Sequence, residues 1–240
     1  HNTMDIHQAS PRAVVNWDTY NVGRNATVNY HQPDSQAVML NRVTSATPSQ
    51  IDGSINANGR IIISNSNGVT FGRGAQVDAA AVVATTLNQP DKEFMEGKAT
   101  FSGDGKGAVV NQGKIRVNDP NGYVALLAPE VRNEGYVIAN KGPNNTVAMA
   151  AGEKVTLDFK GDALVGVRVD KAAFDAHVEN KRVVHTDGGK VILSAGAANH
   201  LMRTVIRNSG RLTASSMVNN GGTIELIAND VINTGQITAD

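Results

Sequence analysis

The sequence predicts an all-β protein, a right-handed parallel β-helix, and three observations support this. Short apolar runs alternate with Asn and Gly so frequently that neither a helical period nor strands joined by crossover helices fit them. One motif, Asn-x-Gly-x-apolar, recurs along the chain. Aromatic residues make up only 4% of the chain, as expected for a narrow core of stacked aliphatic side chains. These features predict a domain built by stacking one unit on the next.

The clearest unit spans residues 48–77, where three short strand-like runs each end at Asn or Gly. The motif then returns at residues 111–115, 133–137, 208–212 and 233–237. Its glycines are separated by 22 residues in the first pair (113 and 135) and by 25 in the second (210 and 235). Three strands in such a period predict one coil of a parallel β-helix. A β-sandwich fits less well, because its strands pair through hairpins and are longer.

The spacing of the motif also predicts the number of coils. The intervals of 60 residues between Gly53 and Gly113, and of 75 between Gly135 and Gly210, predict about three units each. With about eight or nine coils, the helix axis would be ~40 Å long at the spacing of neighbouring strands. We expect the Asn and Gly at the corners to supply left-handed backbone conformations and bonds to the next coil.

We expect residues 1–240 to form a single β-helix domain, with a first region at 1–110 and continuing coils at 111–240. Two segments interrupt the repeat. Residues 89–107 are charged and become Gly-rich, and in residues 170–180 the side chains of Ala173, Phe174, His177 and Val178 fall on one helical face. The sequence predicts a hairpin and a short helix at 170–180 that cover the β-helix, within an excursion near 158–187. Alternatively, the excursions carry partner contacts.

Composition limits the classes of partner. The formal net charge is zero and the isoelectric point is about 7.2, so nothing directs the chain to nucleic acid or to an anionic membrane. Without Cys there are no disulfides. There is no apolar run long enough to span a bilayer and no signal peptide at the start, so we expect a mature or excised piece.

No catalytic, metal or cofactor site is predicted. The histidines lack metal-ligand spacing; they are His1, His7, His31, His177, His185 and His200. No Gly-x-Ser-x-Gly elbow is present, and residues 103–107 lack the Gly-Lys-Ser/Thr end of a phosphate loop. Parallel β-helices do include polysaccharide lyases and hydrolases, which keeps an enzyme as an alternative. Its densest candidate acids are Asp158, Asp162, Asp170 and Asp175, with Lys160 and Arg168 nearby.

A series of landmarks carries a family resemblance. In order, they are residues 16–23 (Asn-Trp-Asp-Thr-Tyr-Asn-Val-Gly), 28–33, 40–43, 48–51, 65–68, 71–72 and 83–87, continuing at 155–159, 172–174 and 188–193. They resemble the amino-terminal secretion domain of the filamentous-haemagglutinin family, in particular its high-molecular-weight adhesin-like branch. The resemblance covers nearly the whole chain, and it implies that residues 1–8 end a set of opening strands.

The resemblance implies a secretion motif at Asn65, Ser66, Asn67 and Gly68. The family pattern is Asn-Pro-Asn-Gly, so Ser66 replaces a proline that would preset φ at the turn. A Ser hydroxyl can support the same corner, so we expect the fold to tolerate the change. Residues 118–122 (Asn-Asp-Pro-Asn-Gly) form a similar turn later in the chain.

The resemblance also implies a function, that of an export domain in a large bacterial exoprotein or adhesin. An outer-membrane barrel transporter would bind this region, by strand addition to a sheet edge, and coils would then stack outside the cell. The product would be secreted or held at the cell surface, monomeric, and able to bind a host-cell receptor or glycan through the full-length protein. The alternative is a ligand-capturing or toxin-delivering exoprotein with the same kind of amino-terminal domain.

Two Asn-x-Thr sequons begin at Asn25 and Asn144. Some adhesins of the resembled branch carry sugars at such sites, which makes both asparagines candidate glycosylation sites. An Asn-rich chain also contains sequons by chance. Intact mass of the secreted protein distinguishes the two explanations.

Overall fold

The computed structural model describes residues 1–196, 204–216 and 221–240, and it shows a parallel β-helix. This confirms the predicted fold class. In chain order the first strands are β1 (Asn2–His7), β2 (Arg12–Trp17), β3 (Ala26–His31), β4 (Val38–Val43), β5 (Ser49–Ile51), β6 (Ser54–Ala57), β7 (Arg60–Ser64), β8 (Val69–Phe71), β9 (Gln76–Ala79) and β10 (Ala81–Thr85). The helix α1 (Asp91–Met95) follows, then β11 (Thr100–Ser102), β12 (Ala108–Asn111), β13 (Lys114–Val117), β14 (Tyr123–Ala128), β15 (Glu130–Asn133), β16 (Tyr136–Ala139) and β17 (Thr146–Ala151). The remaining strands are β18 (Lys154–Lys160), β19 (Ala163–Lys171), β20 (Ala176–Asn180), β21 (Val183–Thr186), β22 (Lys190–Ser194), β23 (Thr204–Asn208), β24 (Arg211–Thr213), β25 (Thr223–Ile227), β26 (Asp230–Asn233) and β27 (Gln236–Thr238).

The coils stack into three faces, each a parallel sheet. In the described residues, face 1 has nine strands in the order β1-β3-β6-β9-β13-β16-β21-β24-β27. Face 2 has eight, β2-β4-β7-β10-β14-β17-β22-β25, and face 3 has seven, β5-β8-β12-β15-β20-β23-β26. A complete coil passes from face 1 to face 2 and then to face 3. The nine strands of face 1 and the eight of face 2 agree with the predicted eight or nine coils, while face 3 has one fewer strand than face 2 in the described residues.

Stacked aliphatic side chains fill the space between the three faces. On face 2, Ile61, Val82 and Val124 occupy the same position in successive coils, and Val147 and Val191 extend this column. All five side chains are buried. Burying one such side chain stabilises a fold by roughly 1.5–3 kcal/mol, so a column of identical positions contributes throughout the stack. This explains why small β-branched residues dominate the repeat.

Two insertions leave the β-helix at the same place in their coils, after a face-2 strand. The first, after β10, contains α1 and β11, and the second, after β17, is the antiparallel hairpin β18–β19. The two insertions join, because β11 pairs antiparallel with β18. Their buried side chains Phe94, Phe101 and Leu157 pack on the outer side of face 2. The central strands of face 2, β7, β10, β14 and β17, are therefore buried on both sides, which is why they lack polar alternation.

The predicted helix at 170–180 is wrong. Residues 176–180 are β20, a face-3 strand in which the side chain of Val178 is fully buried, and Phe174 lies in the preceding turn, where it is exposed. The α-helix is α1, in the first insertion, where Pro90 precedes it and Asp91 and Glu93 lie in its first turn. Acidic residues there favour the helix N-terminus.

Two further boundaries differ from the prediction. The second excursion is the hairpin at 154–171 and not 158–187, because β20 and β21 belong to the stack. The long intervals between motif glycines each contain two coils and an insertion, not about three units. Each insertion is about as long as one coil, so the spacing alone could not distinguish an insertion from a coil. Within the described residues, no helix has the length and apolar character needed to cross a membrane.

Candidate recognition turn and its structural setting

The predicted secretion motif forms a turn between β7 on face 2 and β8 on face 3. The side chain of Asn65 is 1% exposed. Its Nδ2 donates to the main-chain oxygen of Thr47 (2.9 Å) and to the Ser49 hydroxyl (3.0 Å), both in the preceding coil. Its Oδ1 accepts a hydrogen bond from the main-chain N–H of Asn67 (3.0 Å). Every polar group of the Asn65 side chain is thus bonded inside the fold.

The rest of the turn is fixed in the same way. The Nδ2 of Asn67 donates to the main-chain oxygen of Ser45 (2.9 Å), and the N–H of Gly68 donates to the oxygen of Asn65 (3.0 Å). Gly68 has a φ of 122°, a conformation that a side chain would strain. Ser66, which replaces the proline of the family pattern, is exposed. The corner keeps its bonding without the proline.

The Gly-rich end of the first insertion lies over this turn. A Cβ atom on Gly105 would lie 2.8 Å from the oxygen of Ser66, and one on Gly107 would lie 2.5 Å from the nitrogen of Gly68. Only glycine permits an approach this close between two backbones. The turn is therefore enclosed between the preceding coil on one side and residues 103–107 on the other.

The similar turn at residues 118–122 occupies a different corner, between face 1 and face 2. Asn145, from the next coil, supports it: its Nδ2 lies 2.9 Å from the oxygen of Asp119, 3.1 Å from that of Pro120 and 3.1 Å from that of Gly122. Asn145 is fully buried. It is a structural counterpart of Asn65 outside the proposed motif.

The Asn of the repeat motif forms a ladder along the corner between face 3 and face 1. Each Nδ2 donates to the Oδ1 in the next coil, at distances of 3.0, 2.9, 2.9 and 2.8 Å along the series Asn111, Asn133, Asn180, Asn208 and Asn233. In three coils the Oδ1 also accepts the N–H two residues later, as Asn111 does from Gly113 (3.1 Å), Asn133 from Gly135 (3.2 Å) and Asn233 from Gly235 (3.3 Å). The predicted bond from corner Asn to the next coil is confirmed.

The glycine of the motif has a different role from the one predicted. Gly113, Gly135, Gly210 and Gly235 do not have positive φ, so they supply no left-handed conformation. A Cβ atom at Gly135 would instead lie 2.2 Å from the main-chain oxygen of Gly113 in the preceding coil. At these four positions glycine permits the close approach of successive coils. Left-handed glycines occur at other corners, such as Gly68.

An aromatic cluster that the sequence did not predict closes the core near the first coils. The Tyr20 and Tyr30 hydroxyls are 2.7 Å apart, and Asn41 Oδ1 accepts from Tyr30 (3.0 Å) and from Trp17 Nε1 (3.0 Å). Burial raises the pKa of Tyr20 to about 12, and it also raises the pKa of Tyr30. Both phenols therefore stay protonated as hydrogen-bond donors.

The candidate catalytic acids do not form an open carboxylate pair. Arg168 on β19 lies between Asp158 (3.1 Å) and Asp170 (3.6 Å). Asp162 accepts a bond from Gln36 Nε2 (2.7 Å), while Asp175 lies in the turn before β20. The described residues contain no group of three or more acids and histidines placed to hold a metal. His200 lies outside the described residues.

Both sequon asparagines, Asn25 and Asn144, are exposed. The Thr146 hydroxyl of the second sequon is buried and donates to the oxygen of Leu164 (2.7 Å). In the folded domain that hydroxyl is already engaged. Glycosylation at either site stays a prediction.

Comparison with known proteins gives consistent matches. The model of the TPS secretion domain family matches residues 1–239. Two proteins named heme/hemopexin-binding protein, both from Haemophilus influenzae, are 31% and 28% identical over 96% and 95% of this chain. The chain spans 26% of the length of each. The crystal structure of the HMW1 secretion domain from Haemophilus influenzae has a TM-score of 0.85 and 27% identity, covering 95% of this chain and 60% of that chain.

Proposed function

Because this chain belongs to the TPS secretion domains, the export domains of two-partner secretion exoproteins, we propose that the transporter recognises residues 65–68 before the chain folds. The domain serves export across the outer membrane, and its product is secreted or surface-associated. The partner that this pathway implies is an outer-membrane transporter. The proposal concerns which state of the chain that transporter binds.

The observation that carries the proposal is the burial of Asn65. Its amide group is bonded to Thr47, Ser49 and Asn67, so in the folded domain it has no capacity left for a partner. Ser66 is the one exposed residue of the four. Extracting Asn65 would cost its hydrogen bonds, each worth roughly 0.5–1.5 kcal/mol net. Recognition of its side chain is therefore compatible with the unfolded chain and not with the folded one.

Burial of the turn on folding would also favour export in one direction, from the transporter to the outside. An unfolded chain of short strands can pair with a sheet edge of the transporter. Once outside, each coil can stack on its neighbour, because coils contact mainly the adjacent coils. Closure of the 65–68 turn then removes the Asn65 side chain from solution. The folded domain would have little affinity for the transporter, and it would not compete with chains still inside.

The proposal is tested by measuring binding of the transporter's periplasmic domains to two states of the domain. One sample is folded, and the other is diluted from urea immediately before mixing. We expect binding of the diluted sample, at least tenfold weaker binding of the folded sample, and reduced binding of diluted Asn65→Ala/Asn67→Ala. Diluted Asn145→Ala is the matched control and should bind like wild type. Equal binding of folded and diluted wild type would contradict the proposal.

A second proposal concerns the longer protein, which we infer is a ligand-capturing exoprotein. Its support is the name of the two relatives, heme/hemopexin-binding protein. An adhesin that binds a host receptor or glycan, and a toxin-delivering protein, are the alternatives. Retention of the full-length secreted protein on immobilised hemin or hemopexin would support capture, and its absence would favour the alternatives.

Light scattering would test whether the domain is monomeric, as we propose.

The polysaccharide lyase or hydrolase alternative has less support. Arg168 is ion-paired with both Asp158 and Asp170 on the surface hairpin, so a basic side chain lies between these two carboxylates. Glycoside hydrolysis instead needs two carboxyl groups that flank a substrate bond. We therefore propose that the domain is not an enzyme, and assays on uronate and neutral polysaccharides would test this.

A further inference from the structure

A row of basic side chains follows the corner between face 3 and face 1. We name it the basic stripe, and its members are Arg73, Lys114, Lys181, Arg182 and Arg211. Strand register sets their order along the axis, since Lys114 pairs with Tyr136, Tyr136 with Val183, and Val183 with Arg211. The coil of Tyr136 carries no member of the stripe and separates Lys114 from Lys181 and Arg182. With one coil every ~4.8 Å, the stripe is roughly 20 Å long from Arg73 to Arg211. Its cations are arranged in a line and not around a point.

The stripe is a local concentration of positive charge. The whole chain is neutral, with 22 basic and 22 acidic residues. The carboxylates beside the stripe are Glu134, which pairs with Lys181 (3.4 Å), and Asp52, at the end near Gly72. Among the described residues, the other four cations of the stripe have no carboxylate within ion-pair distance. Unpaired cations in a row create a positive potential along the corner.

Arg182 is an exception to the repeat. Its place, two residues after the ladder Asn, is occupied by Gly113, Gly135, Gly210 and Gly235 in other coils. Its Nη1 instead donates to the Tyr136 hydroxyl (3.2 Å), and its guanidinium lies 5.9 Å from the Tyr136 ring centre. The ammonium of Lys114 also lies 5.7 Å from that centre. Since glycine suffices for stacking, an arginine here points to a role at the surface.

Two surface depressions meet at Tyr136 and Arg182. Arg73, Gln112, Glu134 and Lys181 line the first, and Ser209, Arg211 and Gln236 line the second, while Tyr136 and Arg182 belong to both. Together they form one groove parallel to the helix axis. Its walls offer charged donors, amides and hydroxyls, its one acidic lining residue, Glu134, is ion-paired with Lys181, and its middle offers part of an aromatic ring that is 36% exposed.

We propose that the basic stripe binds a linear anionic polysaccharide. Guanidinium and ammonium groups would pair with its sulfate or carboxylate groups, and Tyr136 would pack against the apolar face of a sugar ring. Single-stranded nucleic acid fits less well, because its binding grooves present several aromatic side chains to successive bases, whereas Tyr136 is the one aromatic side chain among the described residues that line this groove. The folded domain would use this surface after export, independently of transporter recognition.

The test measures binding of the folded domain to four probes by a method such as microscale thermophoresis. Heparin is the sulfated probe, polygalacturonate the carboxylate probe, dextran the neutral control, and an oligothymidylate the nucleic acid control. We expect heparin or polygalacturonate to bind and dextran not to bind. Binding of the anionic probe should be at least tenfold weaker in 0.5 M salt than in 0.05 M salt, because the higher salt shortens the Debye length and screens exposed charges. Failure of both anionic polysaccharides, or oligothymidylate binding as tight as theirs, would overturn the proposal.

Variants assign the binding to the stripe. Arg182→Gly restores the residue found in other coils, so it should fold normally and bind several-fold more weakly. Arg182→Glu and Arg211→Glu should each lower affinity about tenfold, and Tyr136→Ala should lower it with little change in the salt dependence. Lys160→Glu, on the hairpin over face 2, has the same charge change and should bind like wild type. Equal losses in Lys160→Glu and Arg182→Glu would overturn the assignment.

Discussion

Replacing Asn133 by alanine should destabilise the domain by about 4 kcal/mol. In the ladder, Asn133 Nδ2 lies 2.9 Å from Asn180 Oδ1 and 3.1 Å from the oxygens of both Gly135 and Val183. Its Oδ1 accepts from Asn111 Nδ2 (3.0 Å) and from the Gly135 N–H (3.2 Å). Two N–H donors and two accepted bonds amount to about four hydrogen bonds, each worth roughly 0.5–1.5 kcal/mol net.

The environment makes this loss larger than usual for a polar residue. Asn133 is fully buried, so after the substitution water cannot easily replace the missing partner of the Gly135 N–H. Asn56 provides a matched control. It makes the same kind of bond between coils, from its Nδ2 to Asn29 Oδ1 (3.1 Å), but on the exposed side of face 1. Asn56→Ala should change stability by less than about 0.5 kcal/mol.

Urea unfolding measures both effects. Far-UV circular dichroism follows the whole stack, and the fluorescence of Trp17, the single tryptophan, follows the first coils. A lower midpoint at an unchanged slope reports a loss of stability, and agreement of the two probes would justify a two-state analysis. Destabilisation by Asn133→Ala of less than about 1 kcal/mol, or no greater than that of Asn56→Ala, would refute the structural role of the ladder.

Three further outcomes are expected. Gly135→Ala should lower the melting temperature, because its Cβ would lie 2.2 Å from Gly113 oxygen and the two coils must shift apart, whereas Gly23→Ala, with no atom within 4 Å, should melt like wild type. Because burial raises the pKa of Tyr20 from 10.0 to about 12, the unfolded chain loses a proton that the folded domain keeps, so stability should fall by up to about 3 kcal/mol between those pH values. Tyr20→Phe should flatten that decline in pH-dependent melting, and a decline of equal size would contradict its assignment. Native secreted protein should show added hexose mass that Asn25→Gln or Asn144→Gln removes; an unmodified mass would exclude glycosylation.

The stack could be predicted from sequence because its main constraint is local. Four of the five ladder Asn residues are followed, two residues later, by a glycine that lies close to the neighbouring coil. The residues that contact the next coil therefore lie within one short motif. The coil containing Asn180 escaped prediction because Arg182 replaces that glycine. Without the motif glycine to mark the end of a coil, the apolar residues around Val178 fitted a helical face as well as a strand.

The packing of the two insertions against face 2 could not be predicted, for a different reason. Pairing of β11 with β18 joins segments more than fifty residues apart, and no local pattern specifies such a partner. The strands of face 2 that are apolar on both sides, such as β14, did indicate such a layer. A strand without alternating polar residues must be buried by other residues on both of its sides. The turn at 65–68 was correctly placed between two strands, but its enclosure depends on Gly105 and Gly107 from the insertion.

The central claim is that the transporter recognises the 65–68 turn, beyond the turn's contribution to stability. Its most direct test compares secreted yields of Asn65→Ala/Asn67→Ala and Asn145→Ala from cells that carry the transporter, together with the melting temperatures of both purified variants. Asn145 is a buried corner Asn that lies within hydrogen-bond distance of three main-chain oxygens, so its loss should destabilise the domain comparably.

We predict that secretion of Asn65→Ala/Asn67→Ala falls at least tenfold below that of Asn145→Ala, although both remain folded β-helices. Equal yields of the two variants, or normal secretion of a clearly destabilised Asn65→Ala/Asn67→Ala, would show that the turn has only a structural role and would contradict the account.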